Sequence, residues 1–355
     1  MSKKVIGLLY GGNSPENPIS IKSATNIFNA FETFDTLKNK YSLVPIYIDY
    51  DNSWEVNFEL LKSTDPKENP DFIFTGNFEI HAPNSNNAIA KIDSAISMVH
   101  GSGGEDGSLQ KYFSELGIPL SGCDEACSVL GFDKSLSHDR ARESGVDVTK
   151  SYVYDSATSQ EISSDFSKHF DDDKIYFVKP ARSGSSFGIT KITTLNQLES
   201  AVNEALKFDT KIIIEEGLLG SNFVEVECAV LQKKVTGGAD DDLHATLPCS
   251  IHVKSEFYDF DTKYENEDAV EIKYPALIPD DLREKVRIDS QTLFKTFGCS
   301  GLSRFDYFVD VLSGTVYFNE INTLPGFANV SMFPKMLEAE GIGIVEIIES
   351  ILSFA

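Results

Sequence analysis

Two segments near the carboxyl end of the chain place acids at the spacing of a metal site. The first is Arg304-Phe-Asp306 and the second is Asn319-Glu320-Ile-Asn322. In extended strands, residues two apart lie on one face, so pairing these strands would bring Asp306, Glu320 and Asn322 together. Two carboxylates and an amide oxygen suit Mg²⁺ bound to a nucleotide triphosphate. For the first segment alone, a salt bridge between its arginine and its acid is the simpler interpretation.

A lysine followed by small residues offers a site for phosphate groups. The segment is VKPARSGSSFG over 178–188, with Lys179 at the end of a predicted strand. An ammonium group and free backbone N–H groups are donors that bind phosphate oxygens. Because the lysine precedes the glycines, this is not a Walker A loop, and alone it would be an ordinary hairpin turn. Together with the acid-bearing strands it favours nucleotide binding.

Two glycine-rich loops nearer the amino terminus each contain a side chain that is a candidate for ligand binding. They are GGNSPENPIS over 11–20 and HGSGGEDG over 100–107. The first is not a Gly-x-Gly-x-x-Gly fingerprint, so a dinucleotide site is not supported. Glu16 could bind a substrate amine, although an acid near a helix N-terminus is the more ordinary interpretation. The glycines around His100 would let a ligand approach the backbone, whereas a lone histidine there is usually structural.

The elements that position these loops alternate along the chain. In the amino-terminal third we predict strands and helices over 5–10, 21–31, 41–48, 95–100, 108–116 and 118–122. This alternation predicts a parallel sheet flanked by helices. The segment 51–87 is rich in Asn, Asp, Pro and Glu and is predicted to be a surface insertion.

The rest of the chain predicts two further units. The first contains a helix over 133–143, strands over 174–179, 187–192 and 211–216, and a helix that begins at a capping box, Thr194 to Gln197. The second contains strands over 224–232 and 243–253, a helix over 281–297, and a strand pair over 303–311 and 315–322. Since 355 residues exceed the ~250–300 that one core accommodates, we predict three domains, over 1–122, 123–217 and 218–355.

Composition excludes several classes of partner. The chain has 31 basic and 55 acidic residues and a formal net charge of −24, which disfavours binding to nucleic acid or to anionic membranes. No apolar stretch approaches the ~18 residues of a membrane span, and no signal peptide is recognisable, so we expect a cytoplasmic protein. The five cysteines are odd in number and should be free thiols. Cys123 and Cys127 could share a helical face, but without nearby histidines we expect packing residues rather than a zinc site.

In this order, the segments resemble those of the D-alanine–D-alanine ligase family of ATP-grasp enzymes. The resemblance extends from about Lys4 to Leu352 and also includes FDK over 132–134, EE over 215–216, KY over 263–264 and NEINTLPGF over 319–327. It implies an α/β, three-domain ATP-grasp ligase fold with an N-terminal doubly wound parallel sheet. It further implies a role in peptidoglycan precursor synthesis, and a homodimer is the usual state of the family.

The resemblance implies a two-step ligation. ATP phosphorylates the carboxylate of a first D-alanine, and the amine of a second amino acid attacks the acyl phosphate and releases phosphate. ATP and Mg²⁺ are therefore expected, with two metal ions and with Mn²⁺ as an alternative. The segment over about 254–268 resembles the family's mobile lid, whose closure keeps water from the acyl phosphate.

The same resemblance assigns roles to single residues. For ATP it implies Lys134, Lys179, Glu215, Glu225 and Lys263. For the metal it implies Asp306, Glu320 and Asn322. For the developing oxyanion it implies Arg304 and the backbone N–H of Gly326. For the first substrate it implies Glu16, connected to Ser185 and Tyr264, with His100 nearby, and for the second it implies Ser331 and Lys263.

The second substrate and one residue remain open. The segment over 179–188 resembles glycopeptide-resistance ligases, which join D-alanine to D-lactate or D-serine, while Lys263-Tyr264 resembles the dipeptide-forming and D-serine branches. We therefore expect D-alanine first, D-serine second and D-lactate last. Asn17 and Ala328 replace the family's usual basic residue and threonine, and about three extra residues before Glu225 could move its role to Glu227. Other interpretations are a different acceptor for the same fold, and a non-catalytic nucleotide-binding protein.

Overall fold

The computed structural model describes most of the chain in three sheets and their helices, with one further small sheet. The described residues are 3–57, 61, 73–74, 79–81, 88–158, 166, 168, 170–171, 173–184, 187–234, 242–253, 270–329 and 331–355. The strands are β1 Lys4–Gly11, β2 Tyr41–Ile48, β3 Trp54–Val56, β4 Ile73–Phe74, β5 Glu79–His81, β6 Ala88–Lys91, β7 Ser94–Ser97, β8 Ser151–Asp155, β9 Tyr176–Pro180, β10 Thr190–Ile192, β11 Lys211–Glu216, β12 Phe223–Lys233, β13 Asp242–Ala245, β14 Cys249–Val253, β15 Val270–Lys273, β16 Leu302–Asp310 and β17 Thr315–Asn322. The helices are α1 Asn17–Thr33, α2 Asp35–Lys40, α3 Ser108–Leu116, α4 Glu125–Phe132, α5 Lys134–Glu143, α6 Leu198–Ala205, α7 Asp280–Phe297, α8 Met332–Ala339 and α9 Ile344–Leu352.

The first sheet has the order β3-β2-β1-β7, and β1 runs parallel to both β2 and β7. The apolar run of β1 is buried because α1 covers one face and α3 covers the other. The strand predicted over 118–122 is wrong: only Leu120 forms an isolated bridge, with Ala95. Its neighbour Pro119 accepts a hydrogen bond from Ala95 but has no N–H with which to extend a ladder. Strands β4 and β5 of the predicted insertion form a small separate sheet with β6, which follows the insertion.

The second sheet is antiparallel, in the order β10-β9-β11-β8. Helix α6 packs on it through Leu198 and Val202. The capping box predicted from Thr194 to Gln197 is present at the start of the short 3₁₀ turn that precedes α6. Lys179 of β9 pairs in register with Ile213 of β11, two residues before Glu215, so Lys179 and Glu215 face the same side of this sheet.

The third sheet has the order β15-β14-β12-β16-β17, with β13 pairing along the far part of β12. The strand predicted over 243–253 is divided into β13 and β14, and both pieces pair with β12. Pro248 lies at the break, where it has no N–H for a continuous ladder. The strand pair predicted near 303–322 is confirmed as β16 and β17.

Two apolar cores join segments that are distant in the sequence. Cys127 of α4 and Ala141 of α5 belong to the same core as Phe305 and Phe318 of the third sheet. Residues of β1 and α1 pack in another core with α8 and α9. Helices α4 and α5 thus pack on the third sheet although they precede the second sheet in sequence. The domain boundaries proposed from the sequence stay a prediction.

Candidate active site

The acid-bearing strands β16 and β17 bring the predicted metal ligands together. Their register pairs Asp306 with Glu320 and Arg304 with Asn322. The guanidinium of Arg304 donates to both carboxylate oxygens of Asp306, at 2.8 and 2.7 Å. The Asn322 amide group donates to Asp306 at 3.1 Å, which leaves its carbonyl oxygen directed elsewhere. The salt bridge between Arg304 and Asp306 is therefore present. It uses the same carboxylate that was predicted to bind the metal.

A further acid in this group was not assigned a metal or catalytic role from the sequence. Glu227 on β12 lies opposite Asp306, is 2% exposed, and approaches Nε of Arg304 to 3.3 Å. Arg304 therefore contacts two buried carboxylates. Glu225 lies two residues earlier on the same strand and is only partly buried. The alternating pattern of acids at 225 and 227 was the available signal, but only the register with β16 shows which acid meets the arginine.

The donor set fits a divalent metal ion of the magnesium class. Carboxylate and amide oxygens are its preferred ligands. In the structure the negative charge of these acids is balanced by side-chain cations: Arg304 at Asp306, and Lys134, whose Nζ lies 3.2 Å from Glu320 Oε2. A metal ion bound by Asp306, Glu320 and Asn322 would share this balancing role.

A second cluster, of Lys179, Glu215 and His138, lies beside the metal-ligand group. Nζ of Lys179 lies 2.5 Å from Oε2 of Glu215, and both residues are buried. Burial alone would raise the pKa of Glu215, but the charge of Lys179 and its neighbours holds that pKa below its ordinary value. Nε2 of His138 donates to the carbonyl of Asn319 at 2.8 Å, and burial lowers the pKa of His138.

The second cluster also contains two buried acceptor atoms that lie close to each other. Among the residues that the structure describes, Oε1 of Glu215 has no hydrogen-bond donor, and neither has Nδ1 of His138, 3.6 Å away. With Nε2 donating, a neutral His138 presents Nδ1 as an acceptor, so two acceptors face each other. A buried acceptor without a donor costs about 1–3 kcal/mol. A ligand N–H would remove that cost.

Lys134 connects this cluster to the glycine loop. It is the first residue of α5, is 8% exposed, and donates to the carbonyl of Ser183 at 2.8 Å. The carboxylate of Asp133 caps the helix and also binds Lys211, at 2.9 Å. The helix terminus is therefore held rigidly, with the ammonium of Lys134 between the loop and Glu320.

Glu16 lies where three loops meet. A Cβ built on Gly101 would lie 2.1 Å from a Glu16 carboxylate oxygen, and one on Gly184 would lie 3.3 Å from it. Residue 101 must therefore be glycine, both for this contact and for its φ of +72°. The loops over 11–20, 100–107 and 178–188, distant in sequence, converge on one carboxylate.

Glu105 is the second acid at this junction, and no role was predicted for it from the sequence. Its carboxylate accepts the backbone N–H of Gly101 at 2.8 Å. Burial, and then the nearby charge of Glu16, raises the pKa of Glu105 to about 8. The raised pKa favours the protonated form of Glu105 at neutral pH.

His100 connects the second loop to the loop around Gly326. Its Nε2 lies 3.1 Å from the hydroxyl of Ser23, which also accepts the backbone N–H of Phe327. Burial lowers the pKa of His100 to about 4, so the ring is neutral and can accept from Ser23. A Cβ on Gly326 would lie 2.8 Å from Oγ of Ser331, so these two residues are adjacent. The predictions for Ser185, Lys263, Tyr264 and the lid over 254–268 fall outside the described residues.

Comparison with known proteins agrees with this arrangement. A family model described as D-ala D-ala ligase N-terminus matches residues 5–123, and one described as D-ala D-ala ligase C-terminus matches residues 141–353. The chain belongs to the D-alanine–D-alanine ligase family. It is 35% identical over 379 residues to the D-alanine–D-alanine ligase of Chlorobium limicola, with 100% of this chain and 98% of that protein covered. To D-alanine–D-alanine ligase A of Escherichia coli K12 it is 33% identical over 370 residues, with 100% and 96% covered.

Solved structures of this ligase family share the fold. The VanG D-Ala:D-Ser ligase from Enterococcus faecalis superposes with a TM-score of 0.81 at 30% identity, covering 99% of each chain. D-alanyl-alanine synthetase A from Vibrio cholerae superposes with a TM-score of 0.83 at 26% identity, covering 99% of this chain and 98% of that one. The predicted family, the ATP-grasp fold and the assignment as an ATP-dependent ligase of D-alanine in peptidoglycan synthesis are confirmed. Among the described helices, none has the length and apolar character needed to cross a membrane.

Proposed function

We propose that this ligase joins two D-alanine molecules into D-alanyl-D-alanine through a D-alanyl phosphate. The observation that supports this best is the convergence of an ammonium-binding carboxylate, a set of buried cations and an oxygen-ligand group in one site. Glu16 supplies the first, Lys134 and Lys179 supply cations, and Asp306 with Glu320 supplies the oxygens. Each matches a part of the two-step reaction.

ATP binds along β9, β11 and the start of α5 in this proposal. Lys134 and Lys179 neutralise the phosphate oxygens, and Glu215 binds the adenine. The acceptor Oε1 of Glu215 suits the exocyclic amine of adenine, which donates two hydrogen bonds. Glu225 on β12 is the ribose-binding acid, because Glu227 is already engaged with Arg304. Lys263 of the lid completes the group of ATP ligands.

Asp306, Glu320 and Asn322 would hold divalent cations, for which we propose two Mg²⁺ ions, with Mn²⁺ as a substitute. When bound, such ions neutralise phosphate charge and polarise the transferred phosphoryl group. The chain's own contribution is to hold the three oxygen ligands on paired strands. Arg304 is placed beside them to stabilise the oxyanion that forms when the amine attacks, together with the backbone N–H of Gly326.

The two amino acids bind to separate groups of side chains in this proposal. Glu16 binds the ammonium of the first D-alanine, and the proposed role of Ser185, Tyr264 and His100 is to assist it. The raised pKa of Glu105 favours its protonated form at neutral pH, which limits the negative charge beside Glu16. Ser331 and Lys263 bind the carboxylate of the second substrate. Ser331 is suited to this role because it lies against Gly326, at the start of α8.

D-Serine is the alternative second substrate. The similarity to a D-Ala:D-Ser ligase over 99% of the chain favours it over D-lactate. The discriminating experiment incubates the enzyme with ATP, Mg²⁺ and an equimolar mixture of D-alanine, D-serine and D-lactate, and identifies products by mass spectrometry. We expect D-alanyl-D-alanine as the main product. D-Alanyl-D-serine in excess would move the assignment to the other branch, and ADP release without D-alanine would contradict both.

Organisation and location complete the proposal. We infer three domains over 1–122, 123–217 and 218–355, a lid over about 254–268, a homodimer and a cytoplasmic location. The separate sheets of the three segments support the division. Five buried, unpaired cysteines support a reducing compartment. Size-exclusion chromatography with light scattering tests the dimer.

A further inference from the structure

Three cysteines from two distant parts of the chain form a cluster that has no role in the proposed reaction. Cys123 precedes α4, Cys127 lies in its first turn, and Cys299 follows α7. Their sulfur atoms lie within 4.8 Å of one another, and Cys127 and Cys299 are 3.6 Å apart. All three side chains are buried. The expectation that Cys123 and Cys127 share a helical face is wrong, since α4 begins after Cys123. The third thiol, 172 residues from Cys127, was not foreseen.

We propose that Cys123, Cys127 and Cys299 form a binding site for one thiophilic metal ion of the zinc class. Such ions are held by thiolates at about 2.3 Å in tetrahedral geometry, which places sulfurs about 3.8 Å apart. The observed spacing needs only small side-chain rotations to reach that value. Hard ions such as Mg²⁺ bind oxygen ligands in preference to thiolates. The cysteine site is therefore chemically distinct from the proposed metal site on β16 and β17.

An oxygen ligand is available for the fourth position. The hydroxyl of Ser303 lies 3.6 Å from the sulfur of Cys123, and the carbonyl of Leu302 lies 3.9 Å from it. In a tetrahedral site with three sulfurs and one oxygen, a sulfur–oxygen edge is about 3.6 Å. The hydroxyl of Ser303 therefore lies at the distance from Cys123 that an oxygen in the fourth position would have.

The start of α4 beside the cluster is held in place. Cys127 occupies the third position of α4, and its backbone N–H donates to the capping carboxylate of Asp124 at 2.9 Å. Binding then proceeds as Zn²⁺ with three thiols giving a tris-thiolate complex of charge −1 and up to three released protons.

A cleft gives the ion a path to the cluster. It has a volume of about 850 Å³, lies between α3 and α4, and includes Cys123 in its wall. Asp124 and Glu125 also line this cleft, and their exposed carboxylates attract cations. An ion bound here would hold α4 against the start of β16, the strand that bears Arg304 and Asp306.

The test is a metal titration of the reduced, metal-free, full-length protein in excess Mg²⁺. Cd²⁺ serves as the probe because cadmium–thiolate bonds absorb in the near ultraviolet, and Zn²⁺ is then added as a competitor. We expect one equivalent of Cd²⁺ to bind with thiolate absorbance, to release up to three protons, and to raise Tm. Absence of thiolate absorbance at one equivalent would overturn the proposal, whatever the activity.

Variants distinguish this site from the other thiols. Cys127→Ala and Cys299→Ala should each weaken Cd²⁺ binding at least ~100-fold, since losing even an outer-shell partner costs up to that much. Cys228→Ala and Cys249→Ala, at buried cysteines outside the cluster, are the matched controls and should bind as the parent does. Equal affinity in both sets would overturn the proposal. If an alanine variant fails to fold, Cys127→Ser and the proton release of the parent protein decide the question.

Discussion

Arg304 holds both carboxylate oxygens of Asp306, at 2.8 Å from Nε to Oδ1 and 2.7 Å from Nη2 to Oδ2. The same carboxylate is the first proposed metal ligand. A metal ion at Asp306 must therefore displace or share the contacts of the arginine. Once released from part of this pairing, the guanidinium can donate to the oxyanion of the reaction. In the proposed mechanism, metal binding and preparation of the oxyanion site would be coupled through this one carboxylate.

Replacing the arginine should separate chemistry from nucleotide binding. Arg304→Ala is expected to lower kcat by at least ~100-fold, because an oxyanion donor is lost, while ATP affinity changes little. Steady-state kinetics and calorimetric titration with a non-hydrolysable ATP analogue measure the two quantities. Comparable losses of both would make Arg304 a nucleotide ligand instead.

The same variant should also be less stable. Removing the guanidinium leaves Asp306 and Glu227 buried without their shared cation, which costs about 3–5 kcal/mol when a buried pair is broken. Arg304→Lys retains the charge but not the two-pronged contact, and it should recover stability more than turnover. Urea denaturation at saturating Mg²⁺ provides the comparison.

Removing a carboxylate from the metal group should raise the metal requirement. In Glu320→Gln the amide is a weaker ligand, so the Mg²⁺ concentration for half-maximal activity should rise at least ~10-fold. Lys134 also loses its partner at 3.2 Å. Glu346→Gln, which removes an exposed acid paired with Lys233, is the control and should leave the Mg²⁺ dependence unchanged. An unchanged requirement in Glu320→Gln would remove Glu320 from the ligand set.

Glu105 should make stability depend on pH. Its folded pKa of about 8 exceeds the ordinary 4.5, so between these values the folded protein binds more protons than the unfolded chain. Its contribution is therefore fully present below pH 4.5 and is lost as pH rises through about 8. The Glu105→Gln variant should not show this loss. Above that pH its free energy of unfolding, compared with that of the parent protein, should rise by roughly 2–4 kcal/mol.

A neighbouring acid offers a control of opposite sign. Burial would raise the pKa of Asp106, but hydrogen bonds from the backbone of Gly103 and Ser108 hold it below its ordinary value. Asp106→Asn should therefore lose stability at neutral pH and not in strong acid. Urea denaturation from about pH 2 to pH 9 measures both variants. Parallel pH profiles for Glu105→Gln and the parent protein would refute the raised pKa.

The Lys179–Glu215 pair should behave as a buried ion pair. Glu215→Gln and Lys179→Met should each cost about 3–5 kcal/mol, while the double variant should cost much less than their sum. The next residue on the strand provides the control, since Glu216 forms a partly exposed pair with Lys174 at 2.7 Å. The double-mutant cycle on Lys174 and Glu216 should give a coupling free energy of at most ~1 kcal/mol. Both single variants of the buried pair should also raise KM for ATP, whereas the controls should not.

Local spacing in the sequence determined much of this site. Residues two apart on β16 and β17 had to share a face, so Asp306, Glu320 and Asn322 could be grouped before any coordinates were known. The continuous apolar run of β1 likewise required a strand covered on both faces. The order of the motifs was sufficient to identify the family. These features depend on the regular repeat of side-chain directions in strands and helices. That repeat can be recognised within a single segment of the sequence.

The tertiary structure decided which distant groups meet. The register of β12 against β16 places Glu227, and not Glu225, against Arg304, and a shift of two residues would reverse this. Convergence of three loops buries Glu105 beside Glu16 and raises its pKa. Packing of α4 on the third sheet brings Cys299 to Cys127. Burial and long-range pairing depend on the whole fold, and no local pattern in the sequence contains them.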